Sequence, residues 1–311
     1  MRKAILLLIT LASLSAFSQD KKFTETEIAV NPIINGTLYL PENPSSKLKL
    51  IIMISGSGPT NRSGNQIGGM TNCSKFLAQG LAKNDIAVFT YDKRMFTQMK
   101  AGNLDEKTMR FDDGINDAND VIAYFKSQKK YAKIIIAGHS EGSTVGMVAA
   151  DKNADAFISI AGPGRSADEI LSTQLEKQVP MMKKDFDGYL STLKKGETFE
   201  LKNQMLASIF RESVQPYMIS WFKYNPQYEI KKLKIPVLII NGTKDLQVPV
   251  SEAELLKSAK PDAKLVIIDN MNHVLKDIKG DDSENMASYN NGELPVSETL
   301  INAVNQFTKS I

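Results

Sequence analysis

Residues 131–142 read Tyr-Ala-Lys-Ile-Ile-Ile-Ala-Gly-His-Ser-Glu-Gly, and this stretch decides the fold. Ala132–Ala137 is an apolar run of strand length. It passes straight into Gly138-His139-Ser140-Glu141-Gly142 and then into Ser143–Ala150, small residues at helical spacing. G-x-S-x-G between a buried strand and a helix is the context of a nucleophile elbow. The glycines are needed for space. The serine sits in a strained turn, and a side chain two residues to either side would press on the neighbouring strand and helix. The competing reading is an ordinary strand-to-helix loop whose serine only caps the helix.

Outward from this stretch the chain alternates strand and helix. Before it, Leu48–Ser55 is an apolar strand that ends in Gly56-Ser57-Gly58-Pro59-Thr60-Asn61-Arg62. That loop is no dinucleotide fingerprint, because Asn61 stands at the third glycine position. Ser74–Lys83 spaces as a helix, Ile86–Tyr91 as a strand, Phe96–Arg110 as a polar loop and Phe111–Ser127 as a helix. Nearer the N-terminus, the alternating runs Phe23–Val30 and Gly36–Leu40 flank Asn35-Gly36, a hairpin signal. They predict an antiparallel hairpin at one sheet edge. After the elbow, Ala156–Ala161, Ile235–Asn241 and Lys264–Asp269 read as strands. Ser251–Ala259 and Val296–Lys309 read as helices, and Lys276–Leu294 as polar and irregular. The pattern implies an α/β fold with a mostly parallel sheet covered on both faces.

The alternation breaks once. Arg165–Tyr228 has no strand-like run, only helical segments rich in methionine and aromatics, among them Met181, Met182, Met205, Phe210, Met218 and Trp221. It reads as a helical cap, residues 165–228, inserted into a core made of residues 19–164 and 229–311. The cap residues could line an acyl pocket, with Met218 and Trp221 as candidates, or form the cap's own small core.

The bulk numbers exclude several classes. A chain of 311 residues with 42% hydrophobic and 23% charged residues is an ordinary globular protein. Net charge is +3, with Arg2 and Lys3 contributing two of the positive charges, so nothing points to nucleic acid or an acidic surface. Met1–Ser18 has a basic start, an apolar stretch too short to span a bilayer and small residues at its end. It reads as a secretory signal peptide cut before Gln19, which places the protein outside the cytoplasm, periplasmic or secreted. No later segment approaches a membrane span, so stable membrane insertion is not expected. One cysteine, Cys73, rules out an internal disulfide, and two histidines are too few for a metal site. No cofactor is implied, and oligomeric state is not legible.

Open parallel sheets place their sites at the carboxyl ends of strands. Ser140, Asp245, His273 and Gly56–Gly58 all fall there, on different strands. A serine hydroxyl needs an adjacent base. His139 precedes Ser140 directly and leaves the turn in another direction, so His273 is the base by elimination. Asp245 follows the preceding sheet strand and fits the chain order nucleophile, acid, histidine. Asp269, within the end of its own strand, is the rival. An oxyanion needs two prepared N–H donors. Glu141 supplies one from its backbone, and Ser57, with Gly58 as second choice, supplies the other. Asn61 and Arg62 are candidates for the rim, and Glu169, Glu176, Asp185 and Asp187 for holding a substrate amine.

These residues resemble a known family. Ser55-Gly56-Ser57-Gly58-Pro59-Thr60, Tyr91-Asp92-Lys93-Arg94, Gly138–Gly142, Gly242-Thr243-Lys244-Asp245 and Asn272-His273 are similar to the motifs of α/β-hydrolases. The nearest group is secreted bacterial serine hydrolases of esterase or serine-aminopeptidase type. Met95-Phe96-Thr97 follow Arg94 where that group has Gly-x-Gly, which puts the shape of this loop in doubt. The resemblance, together with the residues, implies a Ser140–His273–Asp245 hydrolase. Its partner is a small-molecule ester or acyl compound, cleaved through an acyl-enzyme. A peptidase or thioesterase with the same triad is the enzymatic alternative, and a non-catalytic binding protein the other.

Overall fold

The computed structural model describes residues 23–311. The segment read as a signal peptide, Met1–Ser18, lies outside the described residues. Eight strands form one sheet: β1 (Phe23–Ala29), β2 (Asn35–Pro41), β3 (Lys49–Ile54), β4 (Ile86–Tyr91), β5 (Lys133–His139), β6 (Ala156–Ile160), β7 (Val237–Gly242) and β8 (Lys264–Ile268). Their spatial order is β1-β2-β4-β3-β5-β6-β7-β8. β1 and β2 run antiparallel, as do β2 and β4. Every other neighbouring pair is parallel. β5 therefore lies in the middle, between β3 and β6, with apolar residues packed on both faces.

Helices cover both faces. α1 (Cys73–Ala82) and α12 (Glu298–Ser310) pack on one side, against Ile51 and Met53 of β3 and their neighbours. α3 (Phe111–Ser127), α4 (Glu141–Ala150) and α10 (Val250–Ala259) pack on the other, against Leu50, Ile52 and Ile54. The apolar stripe of α3, Phe111, Ile115, Ala118, Val121, Ile122 and Phe125, is wholly buried. Each of its larger side chains contributes roughly 1.5–3 kcal/mol of transfer free energy.

Three readings of the sequence need correction. β1 and β2 pair as expected, but Ala29 pairs with Asn35, so the turn is residues 30–34. The Asn31 side chain builds it by accepting from the amides of Ile33 and Ile34. Asn35-Gly36 lies within β2, where a side chain on Gly36 would collide with the Phe89 ring of β4. Arg94–Lys100, read mostly as loop, is a helix, α2. None of its residues is fully buried, so it leaves no apolar period to read. Residues 276–294 contain a further helix, α11 (Asp282–Ser288), whose N-cap Asp281 accepts from the amides of Ser283 and Glu284.

Between β6 and β7 lie α5 (Ala167–Gln178), α6 (Lys183–Lys194), α7 (Ala207–Phe210), α8 (Gln215–Trp221) and α9 (Pro226–Lys232). Leu175, Phe186, Leu190, Leu193, Leu201, Leu206, Phe210 and Met218 form a third apolar cluster, separate from the two on the sheet. Ile230 of α9 instead joins the core beside α4. No helix of the described residues is long and apolar enough to cross a membrane.

Candidate active site

Ser140 stands between β5 and α4 with φ 54° and ψ −126°. A non-glycine residue rarely adopts positive φ, and it persists only where its surroundings enforce it. They do so here. The Ser140 amide donates to the Ile160 carbonyl of β6 at 3.0 Å. A Cβ on Gly138 would strike the Gly142 carbonyl, and one on Gly142 would strike the Ile54 carbonyl at the end of β3. The turn is therefore packed on both sides, and its serine is lifted above the sheet edge.

His273 follows β8, and Asp245 follows β7. The Ser140 hydroxyl lies 3.1 Å from His273 Nε2, and His273 Nδ1 lies 2.8 Å from Asp245 Oδ2. The other oxygen, Asp245 Oδ1, accepts from the amides of Gln247 at 2.9 Å and Val248 at 2.8 Å. A carboxylate held this way accepts a hydrogen bond from the ring's Nδ1–H and leaves Nε2 free to accept from serine. Asn272 steadies the loop. Its Oδ1 accepts from the Lys276 amide, and its Nδ2 donates to Asn285 and Ser288. Among the described residues no hydrogen bond or ion pair joins Asp269 to the imidazole, whose polar partners are Asp245 and Ser140.

His139 points away from the serine hydroxyl. Its Nε2–H donates to the carbonyl oxygen of His273 at 2.8 Å, which ties the elbow to the histidine loop. Burial, and then the charge that His273 can carry, bring its pKa down to about 4, so it stays neutral.

Two cavities meet at Ser140. One, of about 460 Å³, is lined by Gly56–Gly58, Thr60, Gln66, Thr71, His139, His273, Gln247, Tyr289 and Asn290. The other, of about 280 Å³, lies under the helical insertion, against Ala167, Ile170, Leu171, Trp221 and Tyr224, with Arg165 at its side. Ser57 borders both, while Glu141 borders the second. The amides of Ser57 and Glu141 donate to no protein acceptor among the described residues.

Several candidates stand elsewhere. Met218 is buried in the insertion's own cluster, where it packs with Phe186 and Phe210. Arg62 turns back to Asp92, which it holds through Nε and Nη2, and to Glu27. Asn61 closes its own loop, accepting from the amides of Ser63 and Asn65. Neither is part of either cavity wall. Trp221 is, and it also stacks on Phe111 at 5.7 Å. Glu169 caps α5 through Ser166, and Glu176 and Asp187 pair with Lys183. Asp185 accepts from Asn203. None of these four acids reaches the two cavities. The sequence reading missed Gln66, Gln247 and Tyr289, which sit in loops without period. Gln247 alone carried a local signal, two residues after Asp245 as in an Asx turn.

A family model, BD-FAE, matches residues 37–259, well over half of the chain. The chain belongs to the BD-FAE family. It is similar to Esterase EstD of Thermotoga maritima, with 26% identity over 274 residues. That alignment covers 83% of this chain and 62% of EstD, so the chain spans less than two thirds of that relative's length. Among solved structures, Est1E from Butyrivibrio proteoclasticus superposes with a TM-score of 0.59 and 19% identity, over 92% of this chain and 98% of that one. An esterase of Pyrococcus furiosus gives 0.53 and 16%, over 93% and 91%. These likenesses show the fold, which is that of the α/β-hydrolases.

Proposed function

We propose that this BD-FAE member is a serine hydrolase that cleaves carboxylic esters through an acyl-enzyme. The observation that carries the reading is the unbroken chain Ser140–His273–Asp245, set where two cavities meet. Neutral His273 takes the Ser140 proton on Nε2 as Oγ attacks the ester carbonyl. The Asp245 carboxylate balances the imidazolium that forms. The carbonyl oxygen, now an alkoxide, rests against the amides of Ser57 and Glu141. When the intermediate collapses, His273 returns the proton to the leaving alcohol, and water repeats the sequence on the acyl-serine.

The protonating group fixes the direction of binding. The leaving alcohol must lie near His273, which borders the larger, more polar cavity. The acyl group then extends under the insertion, against Ile170, Leu171 and Trp221. We propose on this ground that residues 165–228 act as a cap that selects acyl groups. EstD carries the name esterase, and Est1E has been solved with ferulic acid bound. Both support an ester, and the second an aromatic acyl group. The peptidase reading has less support, because the one carboxylate on the two cavity walls, Glu141, is already paired with Lys93.

The test compares purified protein and Ser140→Ala on aliphatic and hydroxycinnamoyl esters, thioesters and aminoacyl amides. Ester turnover that is lost in the variant is expected. Efficient amide cleavage with poor ester turnover would replace the esterase reading with a peptidase. We also propose export by the N-terminal segment 1–18. Mature protein beginning at Gln19 in the periplasm or medium is the expected finding, and an uncut cytoplasmic chain would reject it.

A further inference from the structure

Lys93, between β4 and α2, takes no part in the proton transfers proposed above. Its Nζ donates to the Gly56 carbonyl oxygen at 2.8 Å and to Glu141 Oε1 at 2.8 Å. Those two residues carry, or adjoin, the two amides that face the substrate. The Gly56 carbonyl and the Ser57 N–H belong to one peptide unit, which is planar and trans, so they point in opposite directions. A donor fixed on the carbonyl therefore aims the N–H away from Lys93. Gly56 itself passes against the elbow, and a Cβ there would lie 3.1 Å from that of Ser140.

The donor is also charged. A hydrogen bond from an ammonium polarises the peptide and strengthens its N–H as a donor at the other end. The next peptide receives neutral donors only. Its Ser57 carbonyl accepts from Thr60 Oγ1 at 3.1 Å and Gln66 Nε2 at 2.6 Å. The charge assistance thus falls on the Ser57 amide and not on that of Gly58. On the other side, the Glu141 carboxylate is buried with Lys93 as its ion-pair partner. The Tyr217 phenol faces that carboxylate. Burial, and then the carboxylate, raise its pKa well above the ordinary value, so it remains neutral.

Resting on the acyl-transfer reading above, we propose that Lys93 is a positioning residue for the oxyanion hole. It orients and polarises the Ser57 amide through the Gly56 carbonyl. Through the ion pair it holds that amide in register with the amide of Glu141. Charge on the substrate oxygen develops only in the transition state, so the contribution belongs in kcat and not in KM.

Lys93→Met alone would strand a buried carboxylate and could fail to fold. The test therefore uses Lys93→Met/Glu141→Gln, with Glu141→Gln and Lys93→Arg beside it. Competent sites are counted by fluorophosphonate titration, and rates are expressed per site. The probes are the best ester, its product acid, and a trifluoromethyl ketone of the same acyl group, to which Ser140 Oγ adds to leave an oxyanion in the hole. The double variant should lose about 10- to 100-fold in kcat, less than the loss of a whole oxyanion donor. KM and affinity for the acid should stay within about twofold, and affinity for the ketone should fall by the same factor as kcat. Glu141→Gln should lose less, because Lys93 still reaches Gly56. Lys93→Arg should recover most of the rate, because a guanidinium also donates to a carbonyl and pairs with a carboxylate. Wild-type kcat and ketone affinity in the double variant would overturn the proposal, as would equal losses for ketone and acid. A wild-type protein that neither turns over esters nor binds the ketone would remove the acyl-transfer reading, and the proposal with it.

Discussion

At the carboxyl edge of the sheet, backbone holds Ser140 and Asp245 in place, whereas in the helical insertion side chains hold one another. Ser140 is fixed by a β6 carbonyl and by two glycines with no room for a Cβ. Asp245 is fixed by two amides of its own loop. The insertion instead closes around Phe186, Phe210 and Met218, with Tyr189 stacked on Phe199 at 4.4 Å. It meets the site through a few residues only, such as Ile170, Leu171 and Trp221. The difference separates two tasks. Backbone-held groups tolerate no displacement and suit proton transfer, which depends on distances of a few tenths of an ångström. A wall of packed side chains can be re-cut without disturbing them and suits selection among substrates.

Mutations can break this contrast. Ser140→Ala should lower kcat on the order of 10⁶-fold with an unchanged melting temperature, because the hole and binding alone remain. A near-normal rate in the purified variant would end the account of the edge. Asp245→Asn should fold normally and lose about 10⁴-fold, since the amide can leave His273 in the wrong tautomer. Asp269→Asn should stay close to wild type, and equal losses from both would show that the hydrogen bond to His273 is not what matters.

Across the boundary, effects should shrink and change kind. Trp221→Ala should alter the kcat/KM ratio between long and short acyl esters by about tenfold, the worth of roughly one methylene group in an apolar pocket. Met218→Ala should cost about 2–5 kcal/mol of stability in a denaturant titration, as a buried methionine does. It should leave that ratio nearly unchanged, and a shift as large as that of Trp221 would erase the distinction between wall and interior.

The smallest effect concerns His139, which belongs to the edge yet whose side-chain hydrogen bond goes to a carbonyl. Its folded pKa, about 4, lies below the 6.5 of an unfolded chain. The unfolded state therefore binds the extra proton between those values, and stability falls as pH drops from about 6.5 to about 4. In His139→Gln, whose amide can still donate to the His273 carbonyl, this component is absent. Its melting temperature relative to wild type should rise across that window on acidification, and a constant difference would contradict the linkage. Its turnover should fall less than that of His273→Gln.

The sheet strands, the elbow and the three residues of the hydrogen-bonded chain were legible because they rest on local signals: apolar runs, glycine spacing and position after a strand. What was not legible depends on packing between distant segments. The crossing that puts β4 outside β3 leaves no trace in either strand. α2 reads as loop because none of its residues is fully buried. Met218 and Trp221 are alike in the sequence, both apolar positions of one helical segment, and only the folded chain turns one inward and the other toward the site. Lys93 and Glu141 stand 48 positions apart in the chain, so their contact needs the whole edge to exist first.

The position of the insertion also bears on how the chain finds its fold. β6 and β7 pair in parallel, yet residues 161–236 separate them. Chain entropy opposes closing so long a loop, although each doubling of length adds only about 0.6 kcal/mol. An insertion with an apolar cluster of its own can collapse before that pairing and bring its two ends together. Asp245 and His273 both lie beyond it, so the hydrogen-bonded chain to Ser140 can form only once β7 and β8 are in place. A nascent chain that has just completed β5 therefore carries Ser140 without the two side chains that line up behind it in the folded protein.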